Sequence, residues 1–318
     1  MEEKKPLIIL TGPTAAGKTE TSIGLAKAIH GEIISADSIQ VYRYMDIGSA
    51  KITKEEMQGI PHYLVDKLYP DEEFNVAIFQ KMAREAINQI YQNGHIPIIV
   101  GGTGFYIQSI LYGIDFDETE ADPEFRSKME HFAKQHGVQT LHDSLALVDK
   151  KAADAIHPNN IRRVIRALEY YNQTGQKISD HNETQRKKES MYQSVYFVLN
   201  REREILYQRI NKRVDHMLEL GLVEEVKHLL DMGYQRNLTS MQGLGYKEIA
   251  AYLEGEVSFQ EAVTTIKQES RHFAKRQITW FKREKDVEWI SMGQYSNTQE
   301  IVAQLMDKLY QKGIIKYV

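Results

Sequence analysis

The chain of 318 residues contains no cysteine, which excludes disulfide bonds, thiolate zinc sites and a cysteine nucleophile. It also lacks any apolar run close to the roughly 18 residues that a membrane-spanning helix requires. Its first five residues are mostly charged and precede only a short apolar run, unlike a secretion signal. These absences predict a soluble, cytoplasmic protein with no membrane partner.

The chain has little net charge, since 40 basic and 44 acidic residues leave a formal charge of −4. This balance argues against a nucleic acid partner, but the charges are unevenly distributed. Residues 267–285 contain seven basic and two acidic residues, a local net charge of +5. If this segment is one helix, its basic residues share one face and Phe273, Trp280 and Phe281 share the other. A solvated surface and an RNA-backbone contact both fit this pattern.

Short apolar runs alternate with helical patterns, an order typical of βαβ units and a parallel sheet covered by helices. The runs cover residues 7–10, 32–35, 62–65, 96–100 and 195–199. Residues 119–190 show helical patterns without a strand, with helix starts at Asp122 and near Asn160. We therefore predict an α/β core from residues 1–118 and 191–318, a helical insertion domain at 119–190, and a helical C-terminal part with segments at 201–231 and 258–285.

A phosphate-binding loop follows the first predicted strand. Residues 12–19 match the pattern G-x-x-x-x-G-K-[ST] between a strand and a helix, the context that makes the motif credible. The loop contains Gly12, Thr14, Ala15, Ala16, Gly17, Lys18 and Thr19. Its backbone amides and Lys18 suit a polyphosphate group, and the Thr19 hydroxyl suits Mg²⁺. The fold class is therefore a phosphate-loop NTPase-like parallel sheet flanked by helices.

The other parts of an ATP site are hard to find. A strand ending in a Mg²⁺-binding aspartate is expected, but the run 96–100 ends in Gly101-Gly102-Thr103-Gly104. Asp66, after the third run, is a weak match. The glycines indicate either backbone lying against a ligand or a tight turn. A small-molecule kinase and an RNA-binding NTPase switch remain open alternatives at this point.

Asp37 follows the second predicted strand, at the sheet edge that also carries the phosphate-binding loop. A carboxylate there can act as a general base toward a group that reacts with the bound phosphate ester. Aspartate is also a common helix N-cap, so a purely structural role is the alternative.

Several further motifs occur in the order and spacing of one family, over residues 5 to 290. They are Asp37-Ser38-x-Gln40-x-Tyr42, Asp46-Ile47-Gly48-x-Ala50-Lys51, Gly101-Gly102-Thr103-Gly104-x-Tyr106, Arg166-Ala167-Leu168-Glu169, Gly243-Leu244-Gly245-Tyr246-Lys247 and Lys275-Arg276-Gln277-x-Thr279-Trp280-Phe281. With the phosphate-binding loop, they make the chain resemble bacterial tRNA dimethylallyltransferases, a family that prenylates the adenosine beside the anticodon. The resemblance implies that the loop binds the diphosphate of dimethylallyl diphosphate, which would explain the missing ATP machinery.

The resemblance also implies roles for individual residues. Asp37 would take a proton from the adenine N6 amine, Thr103 would help to position it, and Lys18 and Thr19 would bind diphosphate with Mg²⁺. Arg213 would contact the diphosphate, although a lone helix arginine is more often solvated or ion-paired. The tRNA contacts would be Asp37, Ser38, Ile39, Gln40, Thr103, Arg126, Arg162, Arg163, Arg166, Gly245, Lys275, Arg276, Gln277, Thr279, Trp280 and Lys282. We expect a monomer that acts on the anticodon stem-loop.

Overall fold

The computed structural model describes residues 4–116 and 122–316. Contacts within the chain separate two compact units: Met1–Leu111 with Met191–Val318, and Tyr112–Ser190. The predicted boundary between residues 118 and 119 lies outside the described residues. Within the described ranges, none of the helices is both long and apolar enough to cross a membrane.

The larger unit contains a six-stranded parallel sheet with the strand order β3-β2-β4-β1-β5-β6. The strands are β1 Pro6–Thr11, β2 Gly31–Ala36, β3 His62–Tyr63, β4 Ile96–Gly101, β5 Gln193–Asn200 and β6 Val287–Ser291. The predicted α/β fold and five of its strands are confirmed. Strand β6 was not predicted, because it is an edge strand in which Ile290 is buried but Trp289 is exposed, and so short an apolar signal resembles a loop.

The described residues form fourteen α-helices in chain order. They are α1 Lys18–Ile29, α2 Lys54–Met57, α3 Val76–Gln92, α4 Gly104–Leu111, α5 Pro123–His136, α6 Val138–Val148, α7 Lys150–Ala155, α8 Ile161–Thr174, α9 Ile178–Lys187, α10 Arg203–Glu219, α11 Leu222–Asp231, α12 Tyr246–Leu253, α13 Phe259–Phe281 and α14 Thr298–Gln311. Two predicted segments were too long. Helix α13 ends at Phe281 and not at residue 285, and Gly221, with φ +99°, separates α10 from α11.

The smaller unit contains α5 to α9 around a core that includes Leu141, Leu145 and Val164. The predicted helix starts are confirmed. The Asp122 side chain caps α5 by accepting a hydrogen bond from the amide of Phe125, and α8 begins after Asn160. Helix α9 lies within the predicted helical insertion, but its residues give no apolar periodicity from which its ends could be predicted.

Strand register brings three loops to one edge of the sheet. Thr11 of β1 and Ala36 of β2 both pair with Gly101 of β4, so the three strands end at the same level. The segments that follow them are residues 12–17, 37–40 and 102–103. Parallel pairing therefore places the phosphate-binding loop, Asp37 and Thr103 at one ligand-binding edge.

Candidate functional site

The backbone of the phosphate-binding loop depends on its glycines. Gly12 has φ +151°, and a Cβ atom there would lie 2.4 Å from the carbonyl oxygen of Leu199 in β5. Gly17, with φ +109°, precedes α1, and no side chain caps the first amides of that helix. The start of α1 therefore offers amide hydrogens and the positive end of the helix dipole to an anion.

Lys18 lies over the loop, where its Nζ donates hydrogen bonds to the carbonyl oxygens of Gly12 at 3.0 Å and Pro13 at 2.9 Å. Burial, followed by the nearby charge of Arg213, lowers the pKa of Lys18 to about 7, and Asp37 opposes the shift. The structure thus brings Lys18, Asp37 and Arg213 within electrostatic reach of one another. An incoming diphosphate would restore the charged form of the lysine.

Three arginines from the segment after β5 point toward this edge. Arg213 donates to the carbonyl oxygen of Ser49 at 3.4 Å, and burial lowers its pKa. Arg209 donates a hydrogen bond to the carbonyl oxygen of Ala15 at 2.9 Å, and Arg201 donates one to that of Ala16 at 3.1 Å. Arg201 and Arg209 were not predicted. Arg209 lies one helical turn before Arg213, so the two side chains share one face of the helix. This spacing could have identified Arg209 from the sequence.

Asp37 caps a turn and not a helix. Its Oδ1 accepts hydrogen bonds from the amides of Ile39 at 2.9 Å and Gln40 at 3.3 Å, and the next helix begins only at Lys54. The helix-cap alternative therefore does not hold. Both bonds use Oδ1, so they leave Oδ2 for another partner. The amide of Thr103 donates to the carbonyl of Ala36 at 3.2 Å, which places Thr103 beside Asp37 through the backbone.

The glycine-rich turn after β4 allows close packing inside the protein. A Cβ atom at Gly102 would lie 2.1 Å from Nε2 of Gln277, and one at Gly104 would lie 2.2 Å from the Trp280 ring. Gln277 accepts a hydrogen bond from the amide of Thr14 at 2.9 Å and donates to Gly102 at 3.1 Å. Gln277, predicted to contact tRNA, is thus buried and joins the two loops. Its contact with tRNA stays a prediction.

Helix α13 has the predicted basic and apolar faces. Lys275, Arg276 and Thr279 are exposed, whereas Ala274 and Phe281 are buried. A surface cavity of about 380 Å³ is lined by His272, Lys275, Arg276, Thr279, Trp280 and Arg283. Lys282, the residue after the helix, is also exposed. This surface combines cations with an aromatic ring, as proteins that bind single-stranded RNA do.

The remaining predicted tRNA contacts in the larger unit surround two turns. Ser38 and Ile39 are half-buried in the turn after Asp37, and the Gln40 side chain donates to the carbonyls of Ser49 and Ala50. Gly245 is buried with φ +93°, and its amide donates to Glu248 at 2.9 Å at the start of α12. Their tRNA contacts stay predictions.

In the smaller unit, the predicted arginines fall into two groups. Arg162 and Arg163 are exposed on α8. Arg126 and Arg166 both bind the fully buried carboxylate of Glu169, Arg126 through two bonds of 2.8 and 2.9 Å and Arg166 through one of 2.7 Å. Burial opposes charge on Glu169, but the hydrogen bonds from these arginines outweigh it and lower its pKa. This role of Glu169 was not predicted.

We expect Glu169→Gln to destabilise the protein by about 1.5–3 kcal/mol, because it weakens charge-assisted hydrogen bonds to a buried partner. Urea unfolding followed by circular dichroism measures this change. Glu130→Gln, which alters an exposed carboxylate on α5, is the matched control. Equal stability of the two variants would show that Glu169 does not hold the arginines.

Comparison with known proteins identifies relatives along nearly the whole chain. The family model described as IPP transferase matches residues 40–284. A tRNA dimethylallyltransferase of Lachnoclostridium phytofermentans is 60% identical over 312 residues, 98% of this chain and 100% of the relative. The crystal structure of a full-length tRNA isopentenylpyrophosphate transferase from Bacillus halodurans has a TM-score of 0.74 and 46% identity, covering 98% of both chains. A eukaryotic dimethylallyltransferase acting on tRNA has a TM-score of 0.82 and 28% identity, covering 99% of this chain and 81% of that one.

Proposed function

This chain belongs to the IPP transferase family, and from that membership we propose that it transfers a dimethylallyl group from dimethylallyl diphosphate to the N6 amine of the adenosine at tRNA position 37, releasing diphosphate. The observation that carries the proposal is the meeting of Lys18, Arg213 and Asp37 at one sheet edge. Two cationic side chains suit a diphosphate leaving group, and a carboxylate suits an amine that must lose a proton.

Diphosphate departure would be assisted mainly by positive charge. The allylic carbon–oxygen bond breaks as the new carbon–nitrogen bond forms, and negative charge accumulates on the diphosphate. Lys18, Arg213 and the amides at the start of α1 would bind this charge. Because these groups are held in place before reaction, they need little rearrangement in the transition state.

Asp37 would accept the proton that N6 releases. The lone pair of an exocyclic adenine amine is shared with the ring, so the nitrogen is a weak nucleophile. A positioned carboxylate helps by accepting the N6 proton as the carbon–nitrogen bond forms. General-base assistance of this kind is typically worth about 10²–10⁴-fold. The turn amides that hold Oδ1 fix the orientation of the carboxylate, and Thr103 would contribute to its position.

We propose Mg²⁺ as the cofactor. The residues present fit this ion, because Mg²⁺ usually binds substrate phosphates, water and only one or two protein oxygens. Thr19, directly after Lys18, supplies an exposed hydroxyl, and the described residues contain no cluster of three carboxylate or imidazole groups that would indicate a protein-only site. When bound, the ion would neutralise charge on the leaving diphosphate.

A kinase is the alternative that the phosphate-binding loop alone would favour. Asp66 is the residue that could have held the metal of an ATP site. Its carboxylate instead forms an ion pair of 2.6 Å with Lys51, whose side chain is almost fully buried. This pairing, together with the family membership, favours the prenyl transfer. Thermal-shift measurements with ATP, GTP and dimethylallyl diphosphate, each with Mg²⁺, distinguish the two functions, since a ligand stabilises the fold that binds it.

The most direct test is mass analysis of nucleosides from tRNA incubated with the enzyme and dimethylallyl diphosphate. We expect a dimethylallyl adduct on one adenosine, without ATP consumption. Stoichiometric ATP hydrolysis coupled to product formation would contradict the proposal. We further propose that the enzyme is cytoplasmic and monomeric. Light scattering of the purified protein would check its oligomeric state.

The target adenosine would leave the base stack to react. Its N6 amine takes part in stacking and pairing within RNA, so the base must be flipped toward the sheet edge to reach Asp37. Fluorescence of 2-aminopurine at the target position is expected to rise on binding as the base unstacks. A signal that stays quenched in a competent complex would contradict flipping.

The basic surface of α13 should supply affinity more than sequence choice, because phosphate contacts carry little sequence information. Replacing Arg276 and Lys282 with alanine is expected to weaken tRNA binding and reduce its salt dependence by up to about two units of slope. Binding measured across salt concentrations checks this expectation. The control replaces Lys27 and Lys312, which lie near the amino ends of the strands, and equal effects of the two pairs would refute the assignment.

A further inference from the structure

A carboxylate outside the catalytic edge binds a row of backbone amides. Glu225 of α11 accepts hydrogen bonds from the amides of Asp46 at 2.8 Å, Ile47 at 2.7 Å and Gly48 at 3.0 Å. The hydroxyl of Tyr246 in α12 donates a fourth bond at 2.8 Å. Consecutive amides that converge in this way form an anion-binding nest. Glu225 therefore fixes the start of the segment 46–51, which we call the 46–51 loop.

Gly48 packs directly against the ring of Tyr246, so the 46–51 loop lies close to α12. A Cβ atom at Gly48 would lie 2.5 Å from the Tyr246 ring, so only glycine fits there. Tyr246 is fully buried, and burial together with Glu225 raises its pKa well above the ordinary value. Its hydroxyl therefore remains a hydrogen-bond donor to Glu225 throughout the physiological pH range.

The other end of the 46–51 loop holds residues of the catalytic edge. The carbonyl of Ser49 accepts hydrogen bonds from Arg213 and from the Gln40 side chain, both at 3.4 Å, and the carbonyl of Ala50 accepts a second bond from Gln40 at 3.2 Å. The amide of Gln40 in turn donates to Asp37. The carbonyls that follow the nest thus orient the diphosphate-binding arginine and the residue that supports the base.

We propose that Glu225 is a positioning residue for diphosphate binding, acting through the 46–51 loop on Arg213. The inference rests on the proposed function, because it assigns Arg213 to the diphosphate. Glu225 is on α11, Arg213 on α10 and Tyr246 on α12. The 46–51 loop therefore contacts three successive helices, one of which carries the arginine proposed to bind diphosphate. Loss of the Glu225 charge would release the amides of residues 46–48 and let the Ser49 carbonyl move away from Arg213.

Glu225→Gln tests this role with little change in volume. We expect the variant to raise the KM for dimethylallyl diphosphate about 10-fold and to lower kcat by a smaller factor, with tRNA affinity unchanged. Glu224→Gln, the adjacent exposed carboxylate on the same helix, should behave as the wild type. An unchanged KM in a folded Glu225→Gln protein would overturn the proposal.

A double-mutant cycle with Arg213→Ala distinguishes this positioning role of Glu225 from a purely structural one. Calorimetry with inorganic diphosphate and Mg²⁺ should show that Glu225→Gln raises the Kd about 10-fold in the wild type but less than 2-fold without Arg213. Independent, additive losses would contradict coupling through Arg213. This binding readout does not require transfer, so a wild type that binds diphosphate but transfers nothing would count against the proposed function alone.

Tyr246→Phe provides a second variant that keeps the buried ring and removes the hydroxyl, which donates to Glu225 and also contacts the backbone of Ser49 in the 46–51 loop. It should shift the diphosphate Kd in the same direction by a smaller factor, again only when Arg213 is present. If Glu225→Gln does not fold, the cycle with Tyr246→Phe decides the question, and a wild-type Kd in that folded variant would refute the proposal.

Discussion

Lys18→Ala is expected to lower kcat/KM for prenyl transfer by on the order of 10²–10³-fold, because it removes a preorganised positive group from the site of developing charge. The lysine lies over the phosphate-binding loop, bonded to the carbonyls of Gly12 and Pro13, and is therefore in place before the substrate arrives. Single-turnover transfer to tRNA measures the loss. Wild-type transfer rates in this variant would contradict a role for Lys18 in diphosphate departure.

The same lysine predicts a pH dependence of diphosphate binding. Since burial lowers its pKa to about 7, Lys18 is charged below pH 7 and becomes neutral as the pH rises through that value. Diphosphate favours the charged form, so affinity should be highest below pH 7 and decline toward pH 8. Lys18→Arg is the control, because a guanidinium stays charged and should flatten the decline. If affinity falls with pH in the same way in the wild type and in Lys18→Arg, the pH dependence arises from titration of the diphosphate and not of Lys18.

Asp37→Asn is expected to slow the chemical step by roughly 10²-fold or more while tRNA affinity stays nearly unchanged. The asparagine oxygen can still accept the turn hydrogen bonds from Ile39 and Gln40, so the local fold should persist. What it lacks is a basic oxygen for the N6 proton. Rapid-quench measurement at saturating substrates isolates this step.

Two further measurements make the Asp37 result interpretable. Ser38→Ala changes the neighbouring residue of the same turn without removing a carboxylate, and it should retain a far larger fraction of the rate. The melting temperature of Asp37→Asn should lie close to that of the wild type. Unchanged single-turnover rates would mean that Asp37 only caps its turn.

Local patterns predicted most of the fold because each depends on neighbouring residues. The buried strands β1, β2 and β4 are short apolar runs, and the phosphate-binding loop has a fixed spacing of glycines and lysine. Strand β6 and helix α9 carried no comparable signal. The edge strand buries little of its surface, and α9 is polar on most positions, so periodicity could not identify either.

The candidate site was less predictable than the fold because its support comes from distant residues. Gln277 reaches Thr14 across 263 positions, and Glu225 reaches the 46–51 loop across more than 170. Glu169 was part of a recognised motif, and its bond to Arg166 follows the i,i+3 spacing of one helix. Its bond to Arg126, in contrast, depends on the packing of α5 against α8. A single sequence gives no spacing rule for such pairs.

By itself, the sequence determined the α/β class, the phosphate-binding loop and the positions of Lys18 and Asp37, because apolar periodicity and loop chemistry act over a few residues. Only the tertiary structure decided that Arg201 and Arg209 bond to that loop and that Arg213 lies within electrostatic reach of Lys18. It also decided that the Glu225 carboxylate holds the amides of residues 46–48. These contacts form when the parallel sheet aligns its strand ends and the C-terminal helices pack over them. The free energy of that packing depends on the whole core, which no local pattern describes.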